Sequence, residues 1–202
     1  MCTHFQTAIP EEFRQDVLIL NESGIAGQAY PGRTVPVVIW RDGSLSCVPC
    51  RWGLIPHWAP DTKLMKSTFN ARGETIHEKP SFRDSFRGGK RCILRAKCFH
   101  ENIYAEATRK RLGEAAITLA SGAQMHIAGL YAINTRIEPQ PVWSCTMITT
   151  SANEVIQPFN DRMPVILTEA ESAEWLNPAT DVARLRELLR PCPTQWLVAE
   201  RV

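Results

Sequence analysis

The stretch VPVVIWRDGSLSCVPC, residues 35–50, decides the fold class. It places the β-branched run VPVVIW before Asp42-Gly43 and a second run, SLSCVPC, after it. An Asp-Gly pair between two such runs is a strong signal for a tight β-hairpin, because both residues tolerate the positive φ angles that the turn requires. The stretch therefore predicts two antiparallel strands joined by a short turn.

Strand patterns follow this hairpin along the chain, and helical patterns flank them. Further strands are predicted in KRCILRAKCFHENIYA (90–105), TRKRLGEAAITLA (108–120), MHIAGLYAI (125–133) and WSCTMITTSA (143–152). Helices are predicted in IPEEFRQDVLIL (9–20), from Pro80 onward, in TEAESAEWLN (168–177) and TDVARLRELL (180–189), and near Ser151–Glu154, which fits an S-x-x-E cap. Because the strands succeed one another in hairpins, we expect one α+β domain over residues 1–202 with a largely antiparallel sheet.

Length and composition bound the class of protein. A chain of 202 residues suits one domain with a sizeable core. The net charge of +2 permits nucleic acid as a partner without demanding it. An odd number of cysteines, seven, and the lack of a signal-like N-terminus favour a reducing cytoplasm. No apolar run reaches the ~18 residues of a membrane span, so we expect a soluble protein.

Cys2 is the first candidate for chemistry. If Met1 is removed, Cys2 carries a free α-amine beside its thiol, a pair found on no internal residue. With an aldehyde this pair can close a five-membered thiazolidine ring. The amine has a pKa of about 7.7 to 8.0 and the thiol about 8.5, so both are partly nucleophilic near neutral pH. An incidental cysteine is the alternative for the stretch taken alone.

Two polar stretches offer partners for such chemistry. In FNARGETI (69–76) the residues Asn70, Arg72 and Glu74 alternate, so an extended segment would place all three on one side, suited to an anionic ligand. A solvated face is the alternative. In KCFHENIYA (97–105) the carboxylate of Glu101 could hold or deprotonate an ammonium group, unless it belongs to a strand-end turn.

Other candidates are weaker. Trp52 and Trp58 in WGLIPHW could stack on unpaired bases, although such residues are often in the core. Arg162 in NDRMPVIL could be a ligand contact or a salt bridge with Asp161 that braces a turn. The motif CVPC at 47–50 lacks the second pair of ligands that a structural zinc site needs, so we predict no metal site and no cofactor.

Taken in order, these motifs resemble the SRAP family, the SOS response-associated peptidases that shield abasic sites in single-stranded DNA. The resemblance covers residues 1 to about 176 and rests on MC at the start, WGLIPHW, NARGET, KCFHEN, AGLY, TMITTSAN and NDRMPVIL. It implies a barrel-like core with flanking helices. It also implies a covalent thiazolidine crosslink between the N-terminal cysteine and the aldehyde of an abasic site.

The resemblance implies roles for individual residues. Cys2 would be the nucleophile, Asn70 would position the reacting sugar, and Glu101 would handle the protons of the α-amine. The implied DNA contacts are Arg72 on phosphate, Arg162 and His4, and Trp52 and Trp58 would wedge or stack beside the lesion. Asn160 falls at the catalytic position before D-R-M-P where the family has a histidine.

The chain departs from the family at several points. Thr3 and His4 replace a flexible glycine and a fixed positive charge that would contact phosphate, and Gln28 replaces an asparagine. Asn160 can hydrogen-bond but cannot donate a proton as histidine does, so the reaction could be slower. The tail after Leu197 is expected to lack the usual final strand.

Three functions follow as hypotheses. The first is covalent capture of abasic sites in single-stranded DNA by a monomeric, DNA-associated cytoplasmic protein. The second is non-covalent binding of single-stranded or damaged DNA. The third is an N-terminal-cysteine amidohydrolase or peptidase, against which we count the absence of a legible oxyanion-hole motif and the prediction that a helix, not a strand, follows Cys2.

Overall fold

The structure is a computed structural model that describes residues 2–9, 13, 27–105, 107–108 and 110–202. The helix predicted over residues 9–20 lies almost wholly outside these ranges. Within them, no helix is long and apolar enough to cross a membrane.

Twelve strands within the described residues form one sheet. They are β1 (Phe5–Thr7), β2 (Gln28–Ala29), β3 (Thr34–Arg41), β4 (Ser44–Trp52), β5 (Asn70–Arg72), β6 (Arg91–Tyr104), β7 (Arg111–Leu119), β8 (Met125–Asn134), β9 (Val142–Ser151), β10 (Arg162–Pro164), β11 (Ile166–Leu167) and β12 (Leu197–Arg201). The described α-helices are α1 (Pro80–Arg87), α2 (Glu169–Leu176) and α3 (Val182–Glu187). The α+β class is confirmed.

The predicted hairpin is β3–β4, with Val37 opposite Val48 across it. Asp42 and Gly43 form its turn at φ angles of 52° and 83°, the left-handed conformation that the Asp-Gly pair predicts. Val35, Val37 and Ile39 therefore project from one face of β3 into the same core cluster.

Five strands close on themselves. β3 pairs with β4 and β6, β6 pairs with β8, and β8 pairs with β9. β9 returns to β4 in parallel, at Arg51 opposite Ser144 and Trp52 opposite Cys145. This ring of pairings gives the barrel-like core, and the interior is filled by large side chains such as Trp52, Phe5 and Phe99.

Helices cover the outside of this barrel. α2 begins at a capping box, in which the Thr168 side chain accepts from the Glu171 N–H and the Glu171 carboxylate accepts from the Thr168 N–H. Its Trp175 is fully buried and donates its indole N–H to the carbonyls of Cys92 and Gly129. A side chain at Gly129 would meet the carbonyl of Thr146 at 2.7 Å, so only glycine allows this approach.

Three expectations about secondary structure are wrong. Ser151 does not start a helix, because it pairs with Arg162 across β9 and β10 and turns follow over residues 154–159. The tail after Leu197 does form a strand, β12, which pairs antiparallel with β7. A strand, β1, begins at Phe5, three residues after Cys2, which removes one argument against an N-terminal hydrolase.

Long-range pairings bring the N-terminus to the middle of the molecule. β1 lies antiparallel to β6, with Phe5 opposite Phe99, and β6 continues to Glu101 and beyond. β5 and β10 both pair with β9. The segments that carry Cys2, Asn70, Glu101 and Asn160 therefore meet at one side of the barrel.

Candidate functional site

A cleft of about 540 Å³ opens where these segments meet. The residues that line it are Thr3, Glu101, Asn102, Tyr104, Gln157, Pro158, Phe159, Asn160 and Asp161. Its walls come from the N-terminal segment, from the far half of β6, and from the turn that precedes β10. The cleft is open to solvent on one side and ends at a buried carboxylate.

Cys2 lies beneath this cleft and is 1 % exposed. Its backbone carbonyl accepts a hydrogen bond of 2.7 Å from Asn70 Nδ2. Its thiol is 3.5 Å from the carbonyl oxygen of His4, to which it donates. Asn70 is itself buried, and its Oδ1 has no hydrogen-bond partner among the described residues. Asn70 thus fixes the main chain of Cys2 and retains one free acceptor.

The environment of Cys2 favours the neutral thiol. Burial, followed by the nearby carboxylate of Glu101, raises the pKa of the Cys2 thiol well above its ordinary value. A buried thiolate would lose its hydration, which disfavours the charged form. The thiol is therefore protonated near neutral pH in this arrangement, in which the nitrogen of Cys2 is still part of a peptide bond.

Glu101 is the buried carboxylate at the end of the cleft, only 5 % exposed. Its Oε2 accepts a hydrogen bond of 2.9 Å from Asn160 Nδ2, whereas its Oε1 has no hydrogen-bond partner among the described residues. Burial is the main reason that the pKa of Glu101 is raised, although the bond from Asn160 opposes this shift. A carboxylate with a raised pKa accepts a proton more readily than an ordinary carboxylate and can return it later.

Asn160 acts as a support for Glu101. Its Oδ1 accepts from the backbone N–H of Arg162 at 3.3 Å, and this contact fixes the amide so that Nδ2 faces the carboxylate. An amide in this position orients Glu101 but has no acidic proton of its own to transfer.

The structure corrects the expectation that Arg162 is a free DNA contact. Its two terminal nitrogens each donate to one oxygen of Glu74 at 2.8 Å, and Nη2 also donates to the carbonyl of Thr149 at 2.7 Å. The partner is Glu74, not Asp161. This bidentate pair lowers the pKa of Glu74 and joins β10 to the turn after β5. Both guanidinium ends are thus used within the protein.

Glu74 also departs from the predicted strand face. β5 ends at Arg72, and Glu74 lies in a short 3₁₀ turn, Gly73–Thr75. Arg72 itself is exposed, and within the described residues its guanidinium makes no recorded hydrogen bond. Of the two predicted arginine contacts, only Arg72 is free to meet a ligand.

The two tryptophans predicted to contact DNA also differ in their exposure to solvent. Trp52 is fully buried, donates its indole N–H to the carbonyl of Phe69 at 2.7 Å and meets Phe5 edge to face. The expectation that Trp52 stacks on bases is therefore wrong, since neither ring face reaches the surface. Trp58 is 38 % exposed in the loop after β4, outside the lining of the cleft.

His4 lies in a cluster of rings at the edge of the site. Its ring stacks on Tyr30 and His100, at centroid distances of 4.4 and 4.0 Å, and its Nε2 is 2.7 Å from Gln28 Oε1. The carboxylate of Glu114 is close to both imidazoles, at 3.6 Å from His4 Nδ1 and 3.8 Å from His100 Nδ1. Burial, followed by the neighbouring His4, lowers the pKa of His100.

The cysteines of CVPC do not form a site. Cys47 and Cys50 lie three residues apart on β4, so their side chains point to opposite faces of the strand. Both side chains are buried, and neither forms a disulfide bond within the described residues. Their spacing reflects packing on the two sides of the barrel wall.

Several residues of the cleft were not singled out from the sequence. Tyr104 and Phe159 line it, and Tyr104 is 46 % exposed at the end of β6. No local signal in the sequence identifies Tyr104, because strict alternation would place it on the opposite face of the strand from Glu101. A register shift between Ile103 and Tyr104 interrupts this alternation. Phe159 lies in the turn over residues 154–159, close to where the S-x-x-E pattern predicted the start of a helix.

Comparisons with known proteins agree with this architecture. The family described as SOS response associated peptidase (SRAP) matches residues 1–202. The chain is 42 % identical over 174 residues to abasic site processing protein YoqW of Bacillus subtilis, covering 85 % of this chain and 76 % of that protein. It is 41 % identical to abasic site processing protein YoaM of the same organism, covering 85 % and 75 %. A crystal structure of a protein from Bacteroides thetaiotaomicron superposes with a TM-score of 0.88 at 28 % identity, covering 100 % of this chain and 92 % of the other.

Proposed function

The chain belongs to the SRAP family, and we propose that it captures abasic sites in single-stranded DNA through a covalent thiazolidine formed by Cys2. The observation that carries the proposal is that two buried polar side chains near Cys2 each keep one oxygen without a hydrogen-bond partner among the described residues. Asn70 holds the Cys2 carbonyl at 2.7 Å and keeps Oδ1 free, and Glu101 keeps Oε1 free. Unpaired buried acceptors are costly, so their presence beside one residue favours a functional use.

The chemistry requires that Met1 is first removed. The α-amine of Cys2 then attacks the aldehyde carbon of the ring-opened abasic sugar, and the resulting carbinolamine loses water to form an imine. The thiol adds to the imine carbon and its proton passes to the nitrogen. Two bonds to the sugar carbon are formed and one water molecule leaves in total.

The side chains of the site have distinct roles in these steps. Glu101 accepts a proton from the α-ammonium group and returns a proton to the departing hydroxyl group. Asn70 holds the main chain of Cys2 so that amine and thiol approach the same carbon. The amine attacks first, because only an amine can form an imine with the aldehyde carbon, and the thiol then adds to that imine.

The DNA contacts in this proposal are fewer than the sequence predicted. Arg72 is exposed and meets phosphate, Trp58 offers an exposed ring, and His4 stands at the edge of the cleft. The relatives YoqW and YoaM are abasic site processing proteins, which supports abasic DNA as the ligand.

The direct test combines the purified protein with a single-stranded oligonucleotide that carries one abasic site. We expect a denaturation-resistant adduct whose intact mass is the sum of the Met1-free protein and the DNA, less one water. A matched oligonucleotide without the lesion serves as control. Binding without any adduct by the Met1-free protein would overturn the covalent step and favour non-covalent recognition, whereas turnover of an amide substrate would favour a hydrolase.

Arg72 and Arg162 make a matched pair for testing DNA contact. We expect Arg72→Ala to weaken binding of single-stranded DNA and to reduce the slope of log affinity against log salt by about 0.7, the share of one phosphate contact. Arg162→Ala should instead lower the melting temperature, because it leaves Glu74 and the Thr149 carbonyl without their partner. Salt-dependent titrations and thermal unfolding of both variants check this. An unchanged salt slope in Arg72→Ala would contradict the assignment.

A further inference from the structure

Three side chains at the edge of the site bring metal-binding atoms together. His4 precedes β1, His100 lies on β6 and Glu114 lies on β7. Their ligand atoms all lie within 4.8 Å of one another. The main chain sets this up, because the N–H of His100 donates to the carbonyl of His4 at 2.9 Å and Glu114 pairs with Asn102, two residues along β6.

Both imidazoles direct Nδ1 toward the carboxylate of Glu114. His4 Nε2 is 2.7 Å from the amide oxygen of Gln28, which can only accept, so Nε2 is the donor in this contact and Nδ1 is the nitrogen that remains for a ligand. His100 Nε2 is in contact with Cys98 Sγ at 3.4 Å. Among the described residues, Nδ1 of His4 and Nδ1 of His100 are both buried and have no hydrogen-bond partner. Two orphaned imidazole nitrogens therefore face one carboxylate.

The carboxylate is oriented in the same way. Glu114 Oε1 accepts from Arg111 Nη2 at 2.5 Å, and Arg111 Nε donates to Asn102 Oδ1 at 2.6 Å. This leaves Glu114 Oε2 directed at the two Nδ1 atoms, 3.6 and 3.8 Å away. These separations are too long for hydrogen bonds. Gln28 and Arg111 thus orient the ligands in the manner of the outer shell of a metal site.

We propose that His4, His100 and Glu114 bind a divalent transition-metal ion, with Zn²⁺ the best match to two imidazoles and a carboxylate. Ligand atoms that share one tetrahedral ion at about 2.0 to 2.1 Å lie roughly 3.3 Å apart. The observed distances from Glu114 Oε2 to the two Nδ1 atoms are 3.6 and 3.8 Å. They shorten to that value if the two rings, whose centroids are 4.0 Å apart and whose planes are 12° from parallel, tilt toward the ion. Water completes the coordination, since Glu114 is partly exposed.

Occupancy of this site would act on the N-terminus. The ion ties the segment of His4 to β6 and β7, two residues from Cys2. Its ligand Glu114 is also linked through Arg111 to Asn102, which lines the cleft. The site is thus placed to stabilise the N-terminal segment, and its existence does not depend on the proposed crosslinking.

The test titrates Zn²⁺ into chelator-stripped protein by calorimetry, with Co²⁺ absorption as a spectroscopic check of the ligands. The Cys2→Ala variant is used throughout, because a free N-terminal cysteine chelates metals by itself. We expect binding of a single ion per chain and a rise in melting temperature with Zn²⁺. Glu114→Gln and His100→Ala should weaken binding at least 10 to 100-fold, roughly the loss known for outer-shell changes alone.

Two further variants separate this site from adventitious binding. Gln28→Ala removes only the group that orients His4 and should weaken binding by about 10 to 100-fold. His57→Ala removes an exposed histidine outside the cluster and should change nothing. The proposal is overturned if the Cys2→Ala protein binds no Zn²⁺, or if Glu114→Gln, folded by its circular dichroism, binds as tightly as the parent.

Discussion

Replacing Cys2 by alanine is expected to abolish the stable adduct with abasic DNA completely. The ring cannot close without the thiol, and the other six cysteines are internal residues with no α-amine beside their thiol. The free α-amine remains, so a reversible imine should still form. Denaturing electrophoresis should show no adduct for Cys2→Ala, whereas added borohydride should trap a band by reducing the imine.

The matched control for this variant is Cys98→Ala. Cys98 is also buried and lies on β6, near the same segment, but its thiol contacts Gln6 and His100 and not the cleft. We expect Cys98→Ala to form the adduct at the parental rate. A stable adduct in Cys2→Ala without reductant would show that another nucleophile reacts, and the proposed chemistry would then fail.

Local signals explain what could be predicted of the fold. The Asp42-Gly43 turn and the Pro80 start each depend on a few neighbouring residues, and both appear where expected. Cys2 and Glu101 were identified from their chemistry and from the order of motifs along the chain. Both signals are legible because they need no knowledge of distant partners.

The remainder depends on contacts between distant residues. The ion pair of Arg162 with Glu74 joins positions 88 residues apart, so the sequence suggested the neighbouring Asp161 instead. The burial of Trp52 follows from the parallel return of β9 to β4, which no local pattern announces. The strand β12 forms because β7 offers a free edge, although the tail alone carries a weak pattern.

Replacing Glu101 by glutamine is expected to slow adduct formation by about 10² to 10⁴-fold, the usual contribution of general acid–base catalysis. Glutamine keeps the size of the side chain and can still hydrogen-bond Asn160, so the cleft and DNA binding should persist. Single-turnover rates and equilibrium binding, measured on the same abasic oligonucleotide, separate these two effects. Asn160→Ala, which removes only the support, should slow the reaction less.

The pH dependence of the rate identifies the role of Glu101 more sharply. The α-amine must be unprotonated to attack, so the rate falls by one power of ten per pH unit below the amine pKa of about 8. If Glu101 must also be ionised, the fall steepens below the pKa of Glu101, and burial raises that pKa so that the steeper region begins above the range of an ordinary carboxyl group. Glu101→Gln should lose the steeper region and keep the slope of one. If the wild-type pH–rate profile lacks the steeper region, or if Glu101→Gln has the same profile as the wild type, then Glu101 positions the reacting groups and does not transfer protons.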